Sequence, residues 1–257
     1  MKLDESAQRD ISDLPPGILV ASVRDLSEEL TAFATFASSK LAPTAWGSFQ
    51  QLKSQLEGIQ KSARGKDCRW KSSLPVETSA SDGMHQPSRE GRGTSLFGKV
   101  SFTWQVRPLG EYTKKAAYRR LVAVYDSSVT VALCEEATKK TLREWKFDVG
   151  NHESPGCHFH AAFSDARSAG HNVDVPRLPT IIFMPTDALD FVLGELWQDD
   201  WPKLAIGGAA AQTWARFASA RMQSVLEWQT AKVSSSTGSP WMMLKAAKPK
   251  HSEVPLF

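Results

Sequence analysis

Cys157, His158, Phe159 and His160 bring a thiol and two imidazoles into four consecutive positions. Cys157, Phe159, Ala161 and Phe163 alternate with His158, His160 and Ala162, which predicts a β-strand. On a strand the two histidines share one face, with Cα atoms about 6.5–7 Å apart. Two imidazoles at that separation can converge on one metal ion, and zinc takes such ligands readily. A third ligand has to come from elsewhere. His171 is the candidate, with His152, Asp148, Asp165 and Asp174 also near in sequence. Asp148 doubles as a candidate catalytic partner of this strand. Cys157 belongs to the opposite face, with Phe159 and Phe163, where a cysteine packs as a small hydrophobe. As a nucleophile it would need an imidazole beside it across a strand pair. The plainer expectation for His158 and His160 is hydrogen bonding to neighbouring strands without any metal.

His158-x-His160, followed after seven residues by Ser168 and after two more by His171, is similar to the signature of the JAB/MPN metallopeptidases. That resemblance implies a metal-dependent hydrolase. In that family an aspartate ends the pattern; His171 stands in its place here, and no proline follows His160.

A second kind of chemistry is electrostatic. Residues 53–120 hold 14 Lys/Arg against 6 Asp/Glu, a local excess of +8, while the rest of the chain carries −5 of the overall +3. Clustered cations gain from counterion release on a polyanion. The candidates for anion or nucleic-acid binding are Arg64, Lys66, Arg69, Lys71, Arg89, Arg92, Lys114, Lys115, Arg119 and Arg120. Arg177 joins them, its backbone stiffened by Pro176 and Pro179. The charges are spread rather than packed on one helix, so a solvated, flexible surface is the plainer reading.

The elements that must position these groups form an α+β pattern. Residues 1–23 look like a flexible N-terminal arm, broken by Pro15-Pro16-Gly17. Residues 24–64 form a helical hairpin. Its first helix is capped by Asp25 with Glu28 and carries Leu26, Leu30, Phe33 and Ala37 at helical spacing. Its second carries Trp46, Phe49, Leu52, Leu56 and Ile59 on one face. Residues 65–95 are poor in large apolar side chains and read as a polar loop, open to disorder. From 96 to 232 an α+β core follows: an antiparallel five-strand meander, then a C-terminal pair of helices. Val100, Phe102, Trp104 and Val106 alternate with polar residues as a half-buried strand. Tyr118–Tyr125 and Val129–Leu133 are two further strands, with Asp126-Ser127-Ser128 as a hairpin turn. Trp145, Phe147 and Val149 mark the fourth, and the histidine strand is the fifth. The last helix, from about 209 to 232, buries Trp214, Phe217, Ala218, Met222 and Val225. Residues 233–257 read as a surface tail, with Trp241-Met242-Met243-Leu244 an exposed apolar plug unless it docks.

The chain contains no phosphate-loop, GxGxxG, GxSxG or HExxH motif, which argues against the folds and enzymes built on them. Three cysteines without CxxC spacing argue for a reducing compartment. The N-terminus lacks the basic n-region of a signal peptide, and no run is long enough to span a membrane. The expectation is a cytoplasmic protein. Nine tryptophans favour a protein partner. The leading expectation is thus a non-catalytic adaptor or scaffold subunit of a multiprotein assembly, with nucleic acid as a further partner of the basic segment. The rival is a metal-dependent hydrolase or nuclease on His158 and His160, with zinc as its cofactor. A cysteine-dependent transfer enzyme using Cys157 is a distant third.

Overall fold

The computed structural model describes residues 5–81, 93–112, 120–149, 157–162, 178–180, 182 and 184–256. Its centre is a long antiparallel pair. β4 (Leu96–Pro108) buries Val100, Phe102, Trp104 and Val106 on one face and exposes Thr103 and Gln105 on the other. It pairs along its whole length with β5 (Leu121–Glu135). The sheet order is β2-β4-β5-β6-β7-β8, with β2 at Cys68–Lys71, β6 at Thr141–Val149, β7 at Cys157–Ala162 and β8 at Leu178–Pro179. β3 (Val76–Glu77) extends the β2 edge along β4. β1 (Leu19–Ser22) pairs with the start of β5. The fold is α+β with an antiparallel sheet and several helices, as the sequence pattern implies.

Three expectations about segments are corrected. Asp126-Ser127-Ser128 is no hairpin: it continues β5, opposite Gln105, Trp104 and Thr103. A turn here would have left those residues of β4 without ladder partners, whereas a register shift beside Gln105/Val106 absorbs the irregularity within one strand. Residues 65–95 supply β2 and β3, and Trp70 is buried with its indole N–H donated to the Leu52 carbonyl at 3.1 Å. The chain ends are also built in. The N-terminal arm forms α1 (Glu5–Ser12) and β1. The C-terminal tail docks back, with Val254 and Leu256 buried and the Pro249 carbonyl accepting from Gly17 N–H at 2.7 Å.

Helices cover the apolar face. α2 (Val23–Phe36) starts three residues earlier than a cap at Asp25 predicts, because Ser22 Oγ accepts from Asp25 N–H and is the cap. α3 (Ala45–Lys61) packs on β2 and β3, burying Phe49, Leu52, Leu56 and Ile59 and leaving Trp46 exposed. α4 (Pro185–Leu196) lies across β4 and β5. α5 (Trp201–Ala205) is a short turn leading into α6 (Gly208–Ser234), which packs against α2. α7 (Pro240–Ala246) folds back along α6. A smaller cluster on the outer face, Leu109, Leu121 and Ala123, is covered by Ile11, Leu14 and Ile18.

Two contacts fix the helical layer. Gly98 on β4 lets α4 approach so closely that a Cβ there would stand 2.3 Å from Val192 Cγ1. Behind α4, Arg221 of α6 is only 1% exposed and donates to Glu29 of α2 at 3.0 and 2.9 Å. It also donates to Asp187 of α4, through Nε at 3.1 Å. Thr186 donates its hydroxyl to Glu29 as well. One guanidinium thereby joins three helices. Burial alone would lower the Arg221 pKa, but Asp187 and Glu29 outweigh it and the net shift is upward. Burial pushes the Glu29 carboxyl up, against the pull of Arg221.

Arg221→Ala leaves the buried Glu29 carboxylate facing the half-buried Asp187 and is expected to cost about 3–5 kcal/mol of stability in urea unfolding, the range for breaking a buried ion pair. A cost below about 1 kcal/mol, the level of an exposed pair, would show that the cluster does not hold the helices together. Gly98→Ala is expected to cost about 1–3 kcal/mol by overpacking. Adding Val192→Ala should recover part of that loss in a double-mutant cycle, whereas strict additivity would place the strain elsewhere.

Candidate functional site

Strand pairing decides what stands next to the histidines. In the β6–β7 ladder His158 lies opposite Asp148 and His160 opposite Lys146. Directly opposed residues on an antiparallel pair belong to the same face. Asp148 is in turn opposite Ser128 on β5, Ser128 opposite Thr103 on β4, and Thr103 opposite Lys71 on β2. A polar row therefore crosses the sheet from Lys71 through Thr103, Ser128 and Asp148 to His158. A parallel row runs from Ser101 through Thr130 and Lys146 to His160. Cys157 falls in a different row, opposite Val149, which continues to Ser127, Trp104 and Trp70; those four residues are buried.

Asp148 is half-buried, and Lys146 Nζ lies 3.3 Å from its Oδ1. Asp126, one strand over, is half-buried too. Burial raises its carboxyl pKa, the Asp148 charge adds to the rise, and Lys146 partly offsets it. The outer face of the sheet thus concentrates two carboxylates, an ammonium and the two histidine positions within neighbouring rows. Among the described side chains no group of three His, Cys, Asp or Glu is arranged to hold a metal. His171, His152, Asp165, Asp174 and Ser168 lie outside the described residues.

Folding divides the basic candidates. Arg64 pairs with Asp10 and Glu111. Arg120 is 4% exposed and donates to the Ser62 carbonyl at 3.2 Å. Lys66, Arg69 and Lys71 are exposed, the last two on β2 in line with Gln105 and Thr103. Arg89, Arg92, Lys114, Lys115, Arg119 and Arg177 lie outside the described residues.

The acidic positions of the 187–200 stretch are dispersed. Asp187 accepts from the Met184 N–H at 2.9 Å, capping α4, and meets Arg221. Asp190 accepts from Trp201 Nε1 at 2.7 Å, and Asp200 pairs with Lys40 at 3.2 Å. Asp187, Asp190 and Asp200 each have a separate structural partner.

Periodicity misplaced one surface. Met222 is exposed rather than buried, and the buried line of α6 runs Ala211, Trp214, Arg221, Val225 and Trp228. Arg221 occupies the core position that an apolar residue would be expected to take. Met222 and Leu226 instead line an open groove of about 640 Å³ with Ser219, Gln223, Glu227 and Thr230. α7 adds exposed Trp241, Met242 and Met243. The plug foreseen in residues 241–244 is a short helix on α6, with Ser239 Oγ accepting from Met242 N–H.

Comparison of the chain with protein-family models, with curated proteins and with solved structures finds no match. No helix among the described residues is long and apolar enough to cross a membrane.

Burial pushes the Asp190 carboxyl up, despite the Trp201 hydrogen bond, and Asp187 adds to the rise. The folded chain therefore holds this proton more tightly than the unfolded chain, whose carboxyl titrates near 3.8. The group's contribution to stability is greatest below that value and declines as pH rises through the folded-state pKa. Asp190→Asn keeps an oxygen for Trp201 and removes the charge. Its stability relative to the wild type should increase across that pH window and then level off. A constant difference between pH 3 and 7 in denaturant titrations, on either side of the ordinary value of about 4, would refute this assignment.

Proposed function

We propose that this protein is a non-catalytic adaptor or scaffold subunit that holds a protein partner on the surface formed by α6 and α7. The observation carrying this reading is the exposed apolar set on those helices: Met222, Leu226, Trp241, Met242 and Met243 are all 39–56% exposed. Three of the chain's six methionines lie there, and flexible thioethers suit surfaces that mould to a partner. The same helix is anchored from behind by Arg221, Trp214 and Trp228, so the surface is presented on a fixed support. Pre-ordering of that kind lowers the entropy cost of association. Most of the remaining tryptophans pack in the core, so the partner surface rests on methionine and leucine together with Trp241.

Lys66, Arg69 and Lys71 supply a separate exposed basic strip, the part of the 53–120 segment we assign to an anionic partner such as nucleic acid. Cys68 and Cys134 are free thiols, in keeping with a cytoplasmic setting. A second reading, a metal-dependent hydrolase or nuclease, draws on the pairing of Asp148 with His158 across β6 and β7.

The test is Met222→Glu/Leu226→Glu in the full chain, expressed at native level in its own host. Both positions are exposed, so each change should alter stability by no more than about 0.5 kcal/mol. Charges placed in an apolar contact should weaken partner binding by about 2 kcal/mol or more. Light-activated crosslinking from position 226 should capture the same partner in the otherwise wild-type chain. Unchanged co-purification by the folded double variant would overturn the reading.

A further inference from the structure

We propose that the α6–α7 surface docks a second copy of this chain, the two α6 helices lying antiparallel about a two-fold axis beside Met222. This rests on the reading of that surface as the partner site and names the partner.

Apolar exposure is concentrated there. Among the described residues, seven of the ten large apolar side chains left exposed lie between positions 206 and 243. On α6, Ser219, Met222, Leu226 and Val233 recur at the first and fourth positions of a seven-residue repeat, the seam along which two helices pack. Charge is sparse on this outward face. Of the four charged residues of α6, Arg221 is buried and Lys232 pairs with Glu253 at 3.0 Å, which leaves Arg216 and Glu227.

Those two charges decide the orientation. They are eleven residues apart, three helical turns, and so stand on one flank of the seam. The point halfway between them falls beside Met222. A second α6 running antiparallel across that point brings Arg216 of each copy to Glu227 of the other, and the two-fold makes both contacts at once. A parallel partner would set Arg216 against Arg216 and Glu227 against Glu227, which repels. Arg216 holds Glu28 at 3.2 Å but stays 66% exposed, with donors to spare for a second carboxylate. The same axis places Leu226 over Ser219 of the other copy, where a small side chain leaves room. It also carries Ile206, 80% exposed just before α6, toward the end of the other copy where Trp241, Met242 and Met243 stand on α7.

The experiment is sedimentation equilibrium of the purified full-length protein at micromolar concentrations. The wild type should approach twice the 28.3 kDa of the chain. Leu226→Glu, Arg216→Glu and Glu227→Arg should each weaken self-association by about tenfold or more, because the two-fold axis counts each change twice. An equimolar mixture of Arg216→Glu and Glu227→Arg should dimerise as the wild type does, since every charge contact across the axis then joins a carboxylate to a guanidinium. Trp46→Glu, exposed on α3, should also behave as the wild type. A wild type that stays monomeric throughout this range would overturn the proposal, as would a folded Arg216→Glu variant that self-associates unchanged. If Leu226→Glu fails to fold, the charge mixture decides: no recovery refutes the antiparallel pair. Crosslinking from position 226 separates this inference from the adaptor reading. A monomer that crosslinks to a different protein removes self-association alone, whereas a dimer that crosslinks only to its own copy upholds the pair and removes the adaptor.

Discussion

A guanidinium withdrawn from water must find its hydrogen bonds within the protein, and Arg221 finds them on two helices at once. Glu29 and Asp187 each accept from it, and Thr186 donates to Glu29. The cluster fixes the separation of α2, α4 and α6 more sharply than apolar contact would, because fork geometry tolerates little displacement. Such a cluster is not a cheap source of stability, since desolvation opposes much of the Coulombic gain. What it provides is position. Asp187 also caps α4, so the same carboxylate that starts the helix ties it to α6.

Positioning propagates from there to the sheet. α4 is pressed on β4 at Gly98, and Phe191 on α4 meets Trp145 and Phe147 of β6 edge-on, with ring centroids 6.0 and 6.4 Å away. Those aromatic contacts fix the inner face of β6. Alternation then places Asp148 and Lys146 on the outer face. The chemistry proposed for the sheet and the partner surface proposed for α6 thus share one scaffold, yet occupy opposite sides of the helical layer and the sheet.

The two surfaces differ in kind. On α6 and α7, flexible apolar side chains present area without fixed polar geometry, which suits an adaptable protein contact. On the sheet, charged and hydroxyl residues sit at the fixed spacing of a pleated ladder, which suits a small ligand with directional bonds. A binding subunit can carry both, because neither draws on the residues of the other.

Local patterning in the sequence determined much of this. The alternation of β4, the stripe Phe49, Leu52, Leu56 and Ile59 on α3, and the separation of His158 and His160 from Cys157 all follow from side-chain period, which is a local property. The continuity of β5 was not legible: Asp126-Ser127-Ser128 has turn-like composition, and only pairing with a long β4 makes it strand. Arg221 was not legible either, because a charged residue enters a core line only when distant carboxylates, here Glu29 and Asp187, satisfy it. Reading Met222 in its place put an exposed side chain in the interior. The same reason governs the histidines. Spacing along the chain put His158 and His160 on one face, but their neighbour across the ladder is fixed by register between strands. Register is a tertiary quantity, and it alone brought Asp148 opposite His158.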